Sequence, residues 1–391
     1  MEVIEKQYID YVSIDHRKKY GQFYTINKIA DFMIGWILEN KPLTIYDPAF
    51  GMGAFYRSIE KRNMNCHFIA SEVDKISYNF YCKNSNINNL TLNCEDYFSK
   101  WEVEKYDAIV CNPPYLKFQN FTNRKFVIDK LSFFTSKKIS GYINMASAFL
   151  LKSVLELKKN GRLAYIMPVE FLNTGYGNAV KEILLNCGSI FNIIKIEDEK
   201  RIFEDAVTTV CIIFFEKSTS KNLITFSKMV SIDNMNIEKC YCIDKNKINF
   251  KQKWINFFDK EKNILPGNKF YTNNFVPLSQ YGKFKRGIAT GANEFFTLRK
   301  SDVKKIGLSN NEISYCITKS NQVKNSIFDN ILLQEMSNND EYIYILNLKE
   351  TLSSHAKRYI QYGESMNYNK RYLTKNRTPW FSIEKREPAP I

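Results

Sequence analysis

Five short apolar runs separated by helical stretches constrain this chain more than any other feature of its first 220 residues. They are "LTIYD" (43–47), "CHFIAS" (66–71), "LTLNC" (90–94), "YDAIV" (106–110) and "RLAYIM" (162–167). Between them lie patterns of helical period. In "TINKIADFMIGWILEN" (25–40), Ile26, Ile29, Met33, Trp36 and Ile37 share one face, and Thr25 is placed to cap it. "MASAFLLKSVLELKK" (145–159) is a second such helix. Strands joined by helices run parallel, because each crossover returns the chain to the same edge. The expected fold is therefore α/β, a doubly wound, mostly parallel sheet. "FNIIKIED" (191–198) and "VTTVCIIFFEK" (207–217) are separated by too little chain for a crossover, so the sheet is expected to end on an antiparallel strand.

The alternation stops near residue 218. Residues 1–220 read as the catalytic domain, 221–270 as a connecting region and 271–391 as a smaller α+β domain. Charge follows the same division. Residues 1–220 hold 28 Lys/Arg against 25 Asp/Glu, a net of +3; residues 221–391 hold 28 against 16, a net of +12. A positive field gathered in one part of a chain is expected where that part lies along a polyanion. The nine cysteines are scattered, and Cys240 and Cys242 lack the spacing of a zinc knuckle. No metal site is expected, and the cysteines read as reduced and structural. Without a signal peptide or a membrane-length apolar run, the expected location is the cytoplasm.

Two loops carry the chemistry. "YDPAFGMGAF" (46–55) follows the first strand, and Gly51 and Gly53 allow backbone to turn sharply and approach a ligand. Asp47 at the strand end suits a cationic ligand. Glu72 ends the second strand where a carboxylate can accept ribose hydroxyls, and Asp96 ends the third, able to accept from an adenine amine. Together these predict an adenosine-containing cofactor. The second loop, Asn112-Pro113-Pro114-Tyr115, stops the fourth strand, since neither proline has an N–H to donate. An exocyclic amine on an aromatic base is a poor nucleophile because its lone pair is delocalised. Two acceptors, the Asn112 side-chain carbonyl and the Pro113 main-chain carbonyl, would draw the nitrogen toward tetrahedral geometry. Tyr115 offers a face on which the base stacks. Cys111 beside this corner reads as a buried core residue rather than a nucleophile.

The chain resembles the class I S-adenosylmethionine-dependent methyltransferases, and within them the gamma group of N6-adenine DNA methyltransferases. "DPAFGMGAF" is similar to their first motif, "YGQFYT" (20–25) to the segment covering the methionine end of the cofactor, and N-P-P-Y to the adenine-N6 signature. The resemblance implies S-adenosylmethionine contacts from Tyr24, Thr25, Asp47, Pro48, Ala49, Gly51, Gly53, Glu72, Val73, Asp96 and Tyr97. "RIFEDAVTTVCIIFF" (201–215) resembles the late motif that supplies a second stacking aromatic, here Phe203. The implied activity is methylation of adenine N6 in double-stranded DNA by a modification enzyme, with a cognate restriction endonuclease acting on the same site.

"GKFKRGIATGANEFFTL" (282–298) resembles a stretch of that group's target-recognition domain. Lys283, Lys285, Arg286, Asn293, Arg371, Arg377 and Trp380 are the expected DNA contacts, because basic residues interleaved with aromatics suit nucleic acid. Residue 391 is read as falling short of the usual extent of such a domain. An RNA adenine or protein-glutamine N-methyltransferase would use the same corner chemistry. A different class of reading is an inactive DNA-binding specificity subunit.

Overall fold

The computed structural model describes residues 3–62, 65–85, 88–116, 121, 123–197, 209–218, 221–259, 278–283, 286–323, 328–348 and 351–384. The chain divides into two compact units, Met1–Phe270 and Tyr271–Ile391.

Unit 1 opens with helices α1 (Val3–Tyr11), α2 (Ile14–Tyr20) and α3 (Asn27–Leu38). Then come β1 (Thr44–Asp47), α4 (Ala54–Glu60), β2 (His67–Glu72), α5 (Lys75–Asn84), β3 (Leu90–Cys94) and β4 (Tyr106–Cys111). Helices α6 (Arg124–Thr135) and α7 (Met145–Glu156) lead to β5 (Leu157–Pro168). After α8 (Gly177–Cys187) come β6 (Ser189–Ile196) and β7 (Val210–Glu216). One sheet orders these strands β3-β2-β1-β4-β5-β7-β6. The first five run parallel, and β7 is antiparallel to both neighbours.

Successive side chains of a strand serve opposite faces, and both faces are covered here. Ile45, Ala108 and Val110 pack with Ile29, Met33 and Phe55 on one side; Tyr46, Ile109 and Cys111 pack with Leu131, Leu150 and Leu184 on the other. β7, "VCIIFFE", is buried along nearly its whole length, as its unbroken apolar run requires.

The connecting region needs correction. Within 221–270, β8 (Leu223–Ser231) joins the sheet parallel to β6, and β9 (Asn236–Asp244) closes the edge antiparallel to β8. Trp254, Phe257 and Phe258 pack on Phe226 of β8. The buried Lys181 ammonium on α8 donates to the Gln252 carbonyl at 2.8 Å and the Leu172 carbonyl at 3.3 Å. Lost hydration lowers its pKa to about 8. This segment belongs to the catalytic unit.

Unit 2 contains α9 (Asn293–Phe296), β10 (Thr297–Leu298), α10 (Lys300–Ile306), β11 (Ile313–Tyr315), α11 (Asn330–Asn338), β12 (Tyr344–Leu346) and α12 (Ser354–Ser365). β12 is the centre of a small antiparallel sheet. Phe295, Phe296, Leu298, Met336, Leu346 and Ala356 form a separate core beneath it.

Candidate active site

A cavity of about 250 Å³ opens at the carboxyl ends of β1–β4. In a doubly wound sheet this is where the strand order reverses and where ligands bind. Of the expected site residues, Tyr24, Thr25, Pro48, Ala49, Gly51, Glu72, Val73, Asp96, Tyr97, Asn112 and Pro114 line it. Asp47, Gly53, Pro113 and Tyr115 are not among its lining residues, and Phe203 lies outside the described residues.

The glycine loop is built from backbone constraints. Gly51 and Gly53 have φ of +56° and +73°, which residues with a Cβ adopt only under strain. At Gly53 a Cβ would also meet the Phe50 ring at 2.7 Å. The loop is locked to β2: Glu72 Oε2 accepts from Gly51 N and Oε1 from Asp74 N, both at 2.8 Å. Burial lifts the Glu72 carboxyl to about 7 despite these bonds. Asp47 is buried too. One of its oxygens accepts from Ala49 N at 3.1 Å, while Oδ2 has no hydrogen-bond partner. Burial raises its pKa to about 8.

The corner at the end of β4 is held by the segment between α2 and α3. Asn112 Nδ2 donates to the Phe23 carbonyl at 2.9 Å and to Thr25 Oγ1 at 3.1 Å. A carbonyl only accepts, so the nitrogen must face Phe23 and the amide orientation is fixed. Asn112 Oδ1 is thereby left buried without a hydrogen-bond partner. The Tyr115 ring packs on Phe23, centroids 5.4 Å apart, so one of its faces is engaged inside the protein. Cys111 is buried, which pushes its thiol pKa well up and removes the thiolate a nucleophile needs.

At the far end, Asp96 Oδ1 caps the turn at Phe98 N (2.9 Å), and Phe98, Phe121 and Phe149 complete an aromatic wall. Tyr97 presents its ring, while its hydroxyl donates to Glu156 Oε2 at 2.7 Å and meets Ser153 Oγ at 2.8 Å. The Lys152 ammonium sits 3.7 Å from that ring's centroid and pairs with Glu156.

Sequence reasoning missed two contributions. Helices α1 and α2 supply Glu5 and Tyr20 to the cavity wall. Asp74, one residue beyond Val73, anchors them: its Oδ2 accepts from Tyr8 Oη at 2.9 Å and Gln22 Nε2 at 2.8 Å, and meets His16 Nε2 at 2.7 Å. Burial opposes its charge, but these bonds hold the carboxyl below its usual range. A carboxylate two residues past a strand end gave the one available signal.

The lining residues include four carboxylates, Glu5, Glu72, Glu95 and Asp96, and no Lys, Arg or His. Such a cavity repels a pyrophosphate and suits a ligand carrying positive charge.

The expected DNA contacts of unit 2 fare differently. Lys283 is exposed, and Lys285 lies outside the described residues. Arg286 and Arg371 form surface ion pairs with Glu384 and Glu294, at 3.2 and 3.0 Å. Asn293 opens α9 and accepts from the Thr290 hydroxyl. Two of the expected contacts have partners within unit 2. Arg377 donates to the carbonyls of Thr290 (2.9 Å), Ser382 (3.0 Å) and Ala289, so three of its five N–H groups are engaged by backbone. Trp380 packs on Phe295 and donates to Glu364 at 3.0 Å.

The sheet order and the strand-end cavity define a class I methyltransferase fold. The sequence matches the family described as N-6 DNA Methylase over residues 6–264, and the Type II methyltransferase M.Eco57I, C-terminal domain, over 251–391. It is 36% identical to type II methyltransferase M.AccI of Acinetobacter calcoaceticus, over 99% of this chain and 73% of that protein. It is 28% identical to M.HincII of Haemophilus influenzae, over 57% of this chain and 41% of the relative. The crystal structure of the type IIG restriction endonuclease BpuSI shares the fold, with TM-score 0.50, 12% identity, and coverage of 94% of this chain and 47% of the other. The chain belongs to the N-6 DNA methylase family and is an adenine-specific DNA methyltransferase of the type II restriction–modification kind. Among the described residues, no helix is long and apolar enough to cross a membrane.

Proposed function

We propose that the cavity holds S-adenosylmethionine and that Asn112 delivers the N6 amine of a flipped adenine to it. The cofactor, when bound, supplies the electrophilic methyl group. The residues fit that group: the wall is acidic, Glu72 stands where ribose hydroxyls are accepted, and an aromatic wall with Asp96 suits adenine. The observation that carries the reading is the Asn112 amide. Its nitrogen is committed to Phe23 and Thr25, and its oxygen is buried without a partner. An unpaired buried acceptor costs free energy unless a ligand donor meets it. An adenine amine is such a donor.

In this reading the Asn112 and Pro113 carbonyls each accept one amine hydrogen, drawing the lone pair out of the ring and toward the methyl. The rigid diproline keeps both acceptors in place, so little entropy is lost on positioning. Extrahelical adenine costs a few kcal/mol to expose, offset by stacking against Tyr115 and Phe203. Lys283, Lys285, Arg286, Arg371 and Arg377 of unit 2 are the candidates for phosphate contacts. A specific duplex site shared with a cognate endonuclease completes the proposal.

The test supplies purified protein with methyl-labelled cofactor and either unmethylated duplex DNA or RNA, followed by mass spectrometry of the nucleosides. Label in DNA N6-methyladenine at a single sequence context is expected. Label confined to RNA, or spread over all adenines, contradicts the proposed site-specific duplex substrate.

A further inference from the structure

We infer that Glu5, on the N-terminal helix, recognises the ammonium of the amino-acid end of the cofactor. The inference rests on the cofactor reading above. Helix α1 fully buries only two residues, Glu5 and Tyr8. Tyr8 is explained by its bond to Asp74, at 2.9 Å. Glu5 is a carboxylate 1% exposed that lines the cavity. A buried charge is costly unless it is paired or used.

Arg57 holds the carboxylate in position. It pairs with Glu5 through Nη2 and donates through Nη1 to the Met52 carbonyl. Glu5 is thus tied through Arg57 to the glycine loop, whose Met52 also lines the cavity. Glu72, also bonded to that loop, stands at the ribose position, and Asp96 with the aromatic wall lies beyond it. A ligand whose adenine lies at Asp96 and whose ribose lies at Glu72 directs its remaining arm along the glycine loop toward Glu5. In S-adenosylmethionine and its demethylated product that arm ends in an α-amino-acid group, whose ammonium is the part that donates to a carboxylate. The lining residues include no basic side chain, and Arg57, which pairs with Glu5, is not one of them.

The role is separable from simple anchoring of α1, because only one part of the ligand should sense it. Calorimetric titration would compare S-adenosylhomocysteine, which keeps the amino-acid arm, with 5′-methylthioadenosine, which lacks it. For Glu5→Gln, the Kd for S-adenosylhomocysteine is expected to rise about tenfold to a hundredfold, with that for methylthioadenosine changed less than about twofold. Equal weakening of both ligands would assign Glu5 to folding alone, and no change in either would remove it from the site. If the wild-type protein binds neither ligand, the cofactor reading fails first. Should Glu5→Gln not fold, Glu5→Asp keeps the charge and withdraws it by one methylene. It must then show the same selective loss, and equal affinity for both ligands as in the wild type would overturn the inference.

Discussion

The cavity of unit 1 and the expected DNA contacts of unit 2 treat their polar groups in different ways. Around the cavity of unit 1, Asp47 Oδ2, Asn112 Oδ1 and the Tyr24 hydroxyl are buried without hydrogen-bond partners, and two carboxyls are lifted toward neutrality. In unit 2 two of the groups that most resembled ligand contacts bond within the protein: Arg377 to three carbonyls and Trp380 to Glu364. Incomplete satisfaction marks the place where a ligand completes the structure; full satisfaction marks architecture.

Arg377→Ala tests the contrast most severely. It would leave the Ala289, Thr290 and Ser382 carbonyls without their donor and cost unit 2 about 2–3 kcal/mol. Hydrogen exchange at amides of β10–β12 in the full chain should accelerate, with little change at β1–β4. A selective loss of DNA affinity at unchanged stability would instead return Arg377 to the interface.

Asp47→Asn should do the reverse in unit 1. Burial holds Asp47 at about 8 and Glu72 at about 7, above their ordinary values of 3.8 and 4.5. The cofactor-free fold therefore retains protons that the unfolded chain has already released. The stabilisation from these groups is present at low pH and lost as pH rises through about 7–8. At pH 9, Asp47→Asn should raise the Tm by a few degrees and weaken S-adenosylhomocysteine binding about tenfold. The wild-type affinity should increase from pH 6 to 9 with proton release, because the ligand's ammonium favours the ionised carboxylates. Calorimetry in buffers of different ionisation enthalpy measures that release, and proton uptake would give the wrong sign.

The smallest effect is expected at the surface. Lys283→Ala should weaken binding to duplex DNA severalfold, equally for all sequences, and reduce the slope of log K against log salt by about one. Its folding stability should stay within about 0.5 kcal/mol of wild type. An unchanged salt slope would remove Lys283 from the interface.

Much of unit 1 was legible because core strands advertise themselves. β1, β3 and β4 fall within a residue of the apolar runs, and the corner after β4 is announced by two prolines. β8 and β9 escaped because an edge needs less apolar patterning: β9, "NIEKCYCID", has no fully buried residue. Glu5 was hidden for a related reason. In sequence it is one acidic residue of a charged helix, and its burial depends on Arg57, 52 positions away. Arg377 and Trp380 were ambiguous in sequence because basic residues mixed with aromatics are the pattern of a nucleic-acid surface and also of a small core tied to its own carbonyls. Only tertiary contacts separate the two.

The central claim is that Asn112 is held for the substrate and not for the cofactor. Asn112→Ala, assayed in parallel for S-adenosylhomocysteine affinity and for single-turnover methylation of duplex DNA, tests it directly. The account predicts a loss of about a thousandfold in methyl transfer with cofactor affinity within about threefold of wild type. Methyl transfer that survives the substitution, or falls only in proportion to lost cofactor affinity, would contradict it.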